Sequence, residues 1–247
     1  MGYSKIKIAL IISLFFMHRL ERLKNNAIFI LSVYLALFGA LIIVLIFGEE
    51  EIFDAINNVA VNSPENYTVI MVYISDYGRA IFLIPIVYVL SFRKKKREEN
   101  NKRLIYIELL IIGLFFLITS LVVDSLKEII KRERPPYSIR PEPRKDTSRK
   151  LFPVYSPYSF PSGHATSSFL LAGIPSMLVE GSKNQIALYR AFCLTLAVII
   201  AFSRLWLGVH YPLDTIAGAI LGWSLGILAV VTIEWAKNKQ ISKNNQT

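Results

Sequence analysis

Residues 186–235 read IALYRAFCLTLAVIIAFSRLWLGVHYPLDTIAGAILGWSLGILAVVTIEW. Two apolar runs, 186–207 and 213–235, are each long enough to cross a hydrocarbon core, which takes roughly 20 residues of helix. The short turn between them carries Ser203-Arg204-x5-His210-x3-Asp214. Pro212 suits the first turn of the second helix, with His210 just before that turn and Asp214 within it. The carboxylate is then near enough to accept the Nδ1 proton of His210. Such a pair either staples two helices or leaves Nε2 unprotonated as a nucleophile. Arg204 adds a planar fork of N–H groups that matches two phosphate oxygens.

The same apolar character extends through the chain. Its 247 residues are 53% hydrophobic and its mean hydropathy is +0.45, too apolar for an ordinary soluble domain. Further runs at about 27–47, 67–92, 104–126 and 163–180 bring the expected spans to six. Backbone groups in lipid must be satisfied internally, so the expectation is an all-α, polytopic membrane helix bundle. One membrane-embedded domain is expected over 1–247, with a core of about 27–235, flanks 1–26 and 236–247, and a short interfacial segment at 6–17. Residues 51–61 carry a helical apolar stripe of Ile52, Phe53, Ile56, Val59 and Ala60, expected to lie flat on the outer leaflet. Asp76 and Arg79, three apart in the second span, are expected to pair or to line a polar cavity.

A net charge of +10 would suggest a nucleic-acid partner in a soluble protein. In a membrane protein basic loops set orientation instead, and no nucleic-acid partner is expected. Arg19, Arg22 and Lys24 precede the first span, and Arg93, Lys94, Lys95, Lys96, Arg97, Lys102 and Arg103 follow the second. The first inter-span loop carries no Lys or Arg but has Glu49, Glu50, Glu51, Asp54 and Glu65. Both termini are therefore expected in the cytoplasm. Cys193, the sole cysteine, lies within a span, so no intramolecular disulfide is available.

Two more phrases stand at the ends of spans. Lys127-x6-Arg134-Pro135 closes the third, and Pro161-Ser162-Gly163-His164 opens the fourth. With the terminus inside and six crossings, these and the 203–214 turn all reach the outer surface. Ser162 is a natural N-cap, and the first N–H groups of the following helix are a ready anion site that Gly163 lets a ligand approach. Lys131 and Arg132 are candidates for contact with lipid headgroups. Between the two phrases, residues 135–161 hold seven prolines interleaved with basic and aromatic residues, expected as surface covering or as a lid over the outward site. The charges balance: Lys127, Arg134 and Arg204 match a phosphate dianion plus Asp214. No Asp/Glu cluster or His-x3-His pair points to a metal, and no cofactor is expected.

These residues resemble the three-part signature of the type 2 phosphatidate phosphatase superfamily, which includes membrane lipid phosphatases, bacterial acid phosphatases and vanadium haloperoxidases. The resemblance runs from about 27 to 235 and fills every signature position: Lys127, Arg134, Pro135; Pro161, Ser162, Gly163, His164; Ser203, Arg204, His210, Asp214. It implies a six-helix membrane core and metal-independent hydrolysis. It further implies that His210 is the nucleophile forming a phosphohistidine, that Asp214 orients it, and that His164 protonates the leaving oxygen and then activates water. Lys127, Arg134, Ser162, Gly163 and Arg204 would bind phosphate.

An outward site at the bilayer surface suits a lipid phosphate whose tail stays in the membrane. A polyprenyl diphosphate of undecaprenyl or dolichyl type is the expected substrate, because the cations of 140–150 could meet a second phosphate. Phosphatidate and phosphatidylglycerol phosphate are the alternatives. A non-hydrolytic lipid-phosphate transporter or binding protein is the competing class, and it would need the cations but neither histidine. A haloperoxidase would require vanadate and peroxide.

Overall fold

The computed structural model describes residues 26–86, 89, 102–141 and 156–244. It divides into two compact units, Met1–Ala40 and Leu41–Thr247. The described part of the first is helical and belongs to α1 (Asn26–Phe47), an apolar helix of 22 residues. The expected interfacial segment 6–17 and the basic cluster 18–24 lie outside the described residues.

The second unit contains α2 (Glu49–Asn62), α3 (Glu65–Ile81), α4 (Lys102–Ile130), α5 (Gly163–Leu178), α6 (Lys183–Trp206) and α7 (Pro212–Asn244). Helical turns continue past α3 to Ile86. No strand occurs among the described residues, only one isolated antiparallel bridge, Glu133 to Tyr158. The all-α expectation holds. Asp76 is exposed and Arg79 half-buried.

Among the described residues, five helices are long and apolar enough to cross a membrane: α1, α3 with its extension, α4, α6 and α7 as far as Lys237. The expected count was six. The difference is α5, which has 16 residues, roughly 24 Å of helix at 1.5 Å per residue. Its expected end at 180 is cut short because Val179, the residue after Leu178, is extended. Every residue of α5 from Ala165 to Leu178 is buried. A helix apolar all round belongs in an interior. By contrast α4 leaves Leu109, Leu110, Leu114, Leu117 and Leu121 exposed. Apolar surface of that extent on a long helix suits hydrocarbon. The protein is an integral membrane protein.

α5 packs mainly on α7, then on α6. Gly218, Gly222 and Gly226 form the α7 side of that contact, where an added Cβ would meet Ser162 O at 2.6 Å, Thr166 O at 2.0 Å and Leu170 O at 3.2 Å. Small residues four apart let two helix backbones approach closely. Two buried hydroxyls of α5 turn back onto their own helix: Thr166 Oγ1 donates to Ser162 O at 2.9 Å and Ser168 Oγ to Ala165 O at 3.0 Å. Burial is tolerated there because the donors are paired.

Caps set the other bounds. α6 starts at Lys183 rather than the expected 186 because Ser182 and Gln185 form a reciprocal capping box. α4 runs to Ile130 and stops at Lys131, which adopts φ 52° while its N–H donates to Lys127 O at 2.9 Å, an αL helix end. Lys127 thus sits in the last turn of α4. α7 begins at Pro212 and passes the expected end at 235.

Candidate active site

Gly208 sets up the turn that carries His210. It has φ 58°, which costs a residue without Cβ nothing. Its N–H bonds Leu205 O at 2.9 Å, and the Val209 N–H bonds Arg204 O at 3.2 Å. This is the Schellman pattern at the C-terminus of α6. The chain reverses within three residues and delivers His210 to the head of α7. There the Asp214 Oδ2 accepts the Tyr211 N–H at 2.8 Å, an acidic side chain in the first helical turn capping its own N-terminus.

His210 and Asp214 are buried, at 2% and 0% exposure. His210 Nδ1 lies 3.4 Å from Asp214 Oδ2, within ion-pair range but with no partner in hydrogen-bond alignment. Nε2 lies 3.4 Å from an Arg134 guanidinium nitrogen. Arginine only donates, so Nε2 accepts and the ring proton belongs on Nδ1, toward Asp214. Burial holds His210 well below the usual imidazole range, and Arg134, Arg204 and Lys127 push the same way.

Arg134 is fixed by backbone oxygens: its Nε donates to Ser156 O at 3.2 Å and a terminal nitrogen to Val209 O at 3.1 Å. Arg204 is 1% exposed and donates to Ser75 Oγ of α3. Lys127 is buried in the electrostatic field of Arg134, Asp124, Arg204 and Asp214. Ser162 caps α5, its Oγ accepting the Ala165 N–H, while its own N–H donates to Asp214 O at 2.9 Å. The heads of α5 and α7 are therefore stitched together. Gly163 and His164 form the first turn of α5, both half-buried.

The structure thus brings Lys127, Arg134, Arg204, His210 and Asp214 into one cluster, with the head of α5 bonded to it through Ser162. Three groups of the cluster were not singled out from sequence: Glu49, Ser159 and Tyr211. A fourth, Arg132, was named as a candidate for lipid headgroup contact, and it is bound to protein. Its guanidinium reaches Glu49 Oε2 at 2.6 Å and Asp214 Oδ1 at 3.0 Å, and lies 4.4 Å over the Tyr211 ring. Burial works against its charge, but the Glu49 hydrogen bond and the Asp214 charge outweigh it, so Arg132 is held above its ordinary range. The signal for Arg132 was available. In an extended segment residues two apart share a side, so Arg132 accompanies Arg134. Ser159 is invisible in sequence: its N–H donates to Arg132 O at 2.7 Å and its hydroxyl to Glu133 O at 2.9 Å, closing the long loop onto its own start.

Helix α2 was expected to lie flat on the leaflet. Part of its stripe faces protein: Phe53 and Ala60 are buried and Phe53 lies 5.1 Å from the Tyr211 ring, while Val59 stays exposed. Residues 142–155, which carry Arg144, Lys145, Arg149 and Lys150 of the expected lid, lie outside the described residues. At its described edge Arg140 donates to Pro135 O at 3.1 Å. A cavity of about 470 Å³ opens there, lined by Asp54, Asn57, Glu65, Ser138 and Arg140. It adjoins the Gly208 turn, since a Cβ on Gly208 would meet Arg140 and Asn57.

Comparison with known proteins agrees with this architecture. Undecaprenyl-diphosphatase of Sulfolobus acidocaldarius is 31% identical over 207 residues, 81% of this chain and 85% of that protein. Undecaprenyl-diphosphatase BcrC of Bacillus subtilis is 25% identical over 72% of this chain and 80% of that protein. The crystal structure of a transmembrane PAP2-type phosphatidylglycerolphosphate phosphatase from Bacillus subtilis shares the fold, with a TM-score of 0.52 at 22% identity, covering 85% of this chain and 96% of that one. Residues 108–238, more than half of the chain, match the PAP2 superfamily. This chain belongs to the PAP2 superfamily of phosphatases.

Proposed function

We propose that the protein hydrolyses the terminal phosphate of a polyprenyl diphosphate through a phosphohistidine on His210. The observation that carries the reading is the convergence of Lys127, Arg134 and Arg204 on a buried, neutral His210 beside Asp214. A transporter or binder would need the cations but would gain nothing from an imidazole held in one tautomer against a carboxylate.

In the proposed reaction Lys127, Arg134 and Arg204, with the backbone N–H groups at the head of α5 behind Ser162 and Gly163, hold the terminal phosphoryl oxygens. They neutralise charge that builds on those oxygens in the transition state. Arg134 gives up its contact with Nε2 to a phosphoryl oxygen, and Nε2 attacks phosphorus. The bond from phosphorus to the bridging oxygen breaks, and His164 donates a proton to that oxygen, releasing polyprenyl phosphate. The imidazolium left on His210 is stabilised by Asp214 through Nδ1–H. His164, now neutral, takes a proton from water, whose oxygen attacks phosphorus. The P–N bond breaks, its electron pair returns to Nε2, and inorganic phosphate leaves.

Each step uses only groups of this chain and water, and no metal or cofactor is assigned a role. The proposed site faces outward with both termini in the cytoplasm, where an amphiphile can present its headgroup while its tail remains in lipid.

The test is phosphate release by purified protein, with chelator present, from polyprenyl diphosphate, polyprenyl phosphate, phosphatidate and phosphatidylglycerol phosphate. Fastest turnover of the diphosphate is expected, with loss in His210→Ala. Preference for phosphatidate or phosphatidylglycerol phosphate would overturn the substrate. Full activity in His210→Ala would overturn the chemistry, and tight binding with no turnover would favour a carrier.

A further inference from the structure

We infer that Glu49 and Arg132 are a positioning pair for the His210–Asp214 couple, an inference that rests on the phosphatase reading above. The Arg132 guanidinium meets both Glu49 oxygens, at 3.2 Å and 2.6 Å, and Asp214 Oδ1 at 3.0 Å. Both its terminal nitrogens are thereby committed to carboxylates, and its plane rests on the Tyr211 ring. Glu49 is tied down in turn, since its Oε1 also accepts the Leu213 N–H at 2.9 Å. One carboxylate from the first turn of α2 therefore holds both the guanidinium and the head of α7.

The consequence for Asp214 is mechanical. Its Oδ2 accepts the Tyr211 N–H at 2.8 Å and lies 3.4 Å from His210 Nδ1. Rotation of the carboxylate would carry Oδ2 away from Nδ1. Arg132, pinning the opposite oxygen, opposes that rotation, and Glu49 keeps Arg132 from swinging out. Forked arginine–carboxylate contacts are directional as well as strong. Side-chain exposure of 27% for Arg132 and 17% for Glu49 still admits some solvent. The pair therefore acts on orientation and not as a ligand of phosphate. Neither residue touches the reacting atoms; both work through Asp214.

The experiment is steady-state phosphate release by purified full-length protein with undecaprenyl diphosphate, comparing Arg132→Gln, Arg132→Lys, Glu49→Gln and the Arg132→Gln/Glu49→Gln double variant with wild type. Losing a group that orients a metal ligand typically costs about 10–100-fold; by the same orienting logic Arg132→Gln should lose roughly that much in kcat with KM nearly unchanged. Glu49→Gln should lose less, and the double variant no more than Arg132→Gln alone, because Glu49 acts through Arg132. Arg132→Lys, keeping charge and one donor, should recover part of the rate.

Wild-type kcat in Arg132→Gln, or a loss confined to KM, overturns the inference. Should Arg132→Gln fail to fold in detergent, the milder Glu49→Gln decides, and unchanged kcat there overturns it equally. Failure of the underlying reading is separable. An active His210→Ala removes the phosphohistidine itself, whereas an inactive His210→Ala beside a fully active Arg132→Gln removes only the positioning pair.

Discussion

The uncharged state of His210 has a measurable consequence for stability. An unfolded histidine titrates near 6.5, whereas burial, then Arg134, Arg204 and Lys127, hold the folded imidazole well below that. Above about pH 6.5 neither state binds the proton, and His210 adds no pH dependence. Below it the unfolded chain takes up a proton that the fold refuses, so stability falls as pH drops toward the lower folded value. Thermal unfolding in detergent between pH 7.5 and 5 should show this fall, and His210→Gln should flatten it; parallel curves would contradict the neutral imidazole. Asp214→Asn gives a second check. An amide can donate to Nδ1 and so favour the wrong tautomer, and the analogous change in a serine protease triad lowers kcat on the order of 10⁴-fold. A loss of about 10³–10⁴-fold in phosphate release is expected, with folding retained. The motif residues were legible in sequence because their chemistry is carried by residue type and local spacing. Arg132 and Glu49, 83 positions apart, were not legible as partners because no local spacing links them.

Helix α5 shows how far apolar patterning reaches. Its hydrophobic run was plain, and so was the Ser162 cap, but full burial depends on neighbours that the run does not name. The stripe Gly218, Gly222, Gly226 is likewise visible as a four-residue spacing, while its partner is set by the fold. At Gly222 a methyl group would lie 2.0 Å from Thr166 O, against 3.2 Å from Leu170 O at Gly226. Backbone cannot yield as a flexible side chain does, and overpacking of this kind costs about 1–3 kcal/mol. Gly222→Ala should therefore lower the unfolding midpoint in detergent clearly more than Gly226→Ala does. The Ser162 N–H bond to Asp214 O crosses the same contact, so Gly222→Ala should lower activity as well. An equal effect of the two substitutions would count against the close α5–α7 approach.

Orientation across the bilayer is tested by labelling. Cys193 is buried, so a membrane-impermeant thiol reagent should leave the native chain largely unmodified. Pro64, between α2 and α3, and Lys183, at the start of α6, are both exposed. In intact cells Pro64→Cys should react from outside, while Lys183→Cys should react only after permeabilisation. The reverse pattern would invert the proposed topology. The all-helical membrane class was readable in the amino-acid order alone, as were the three motifs that resemble the family, because hydrophobic run length and motif spacing are local properties. Only the tertiary structure decided that α5 is the enclosed helix, that α2 docks on protein through Phe53, and that Arg132 and Glu49 brace Asp214. Those outcomes depend on which surfaces exclude solvent from one another, and that is a property of packing between segments distant in the chain.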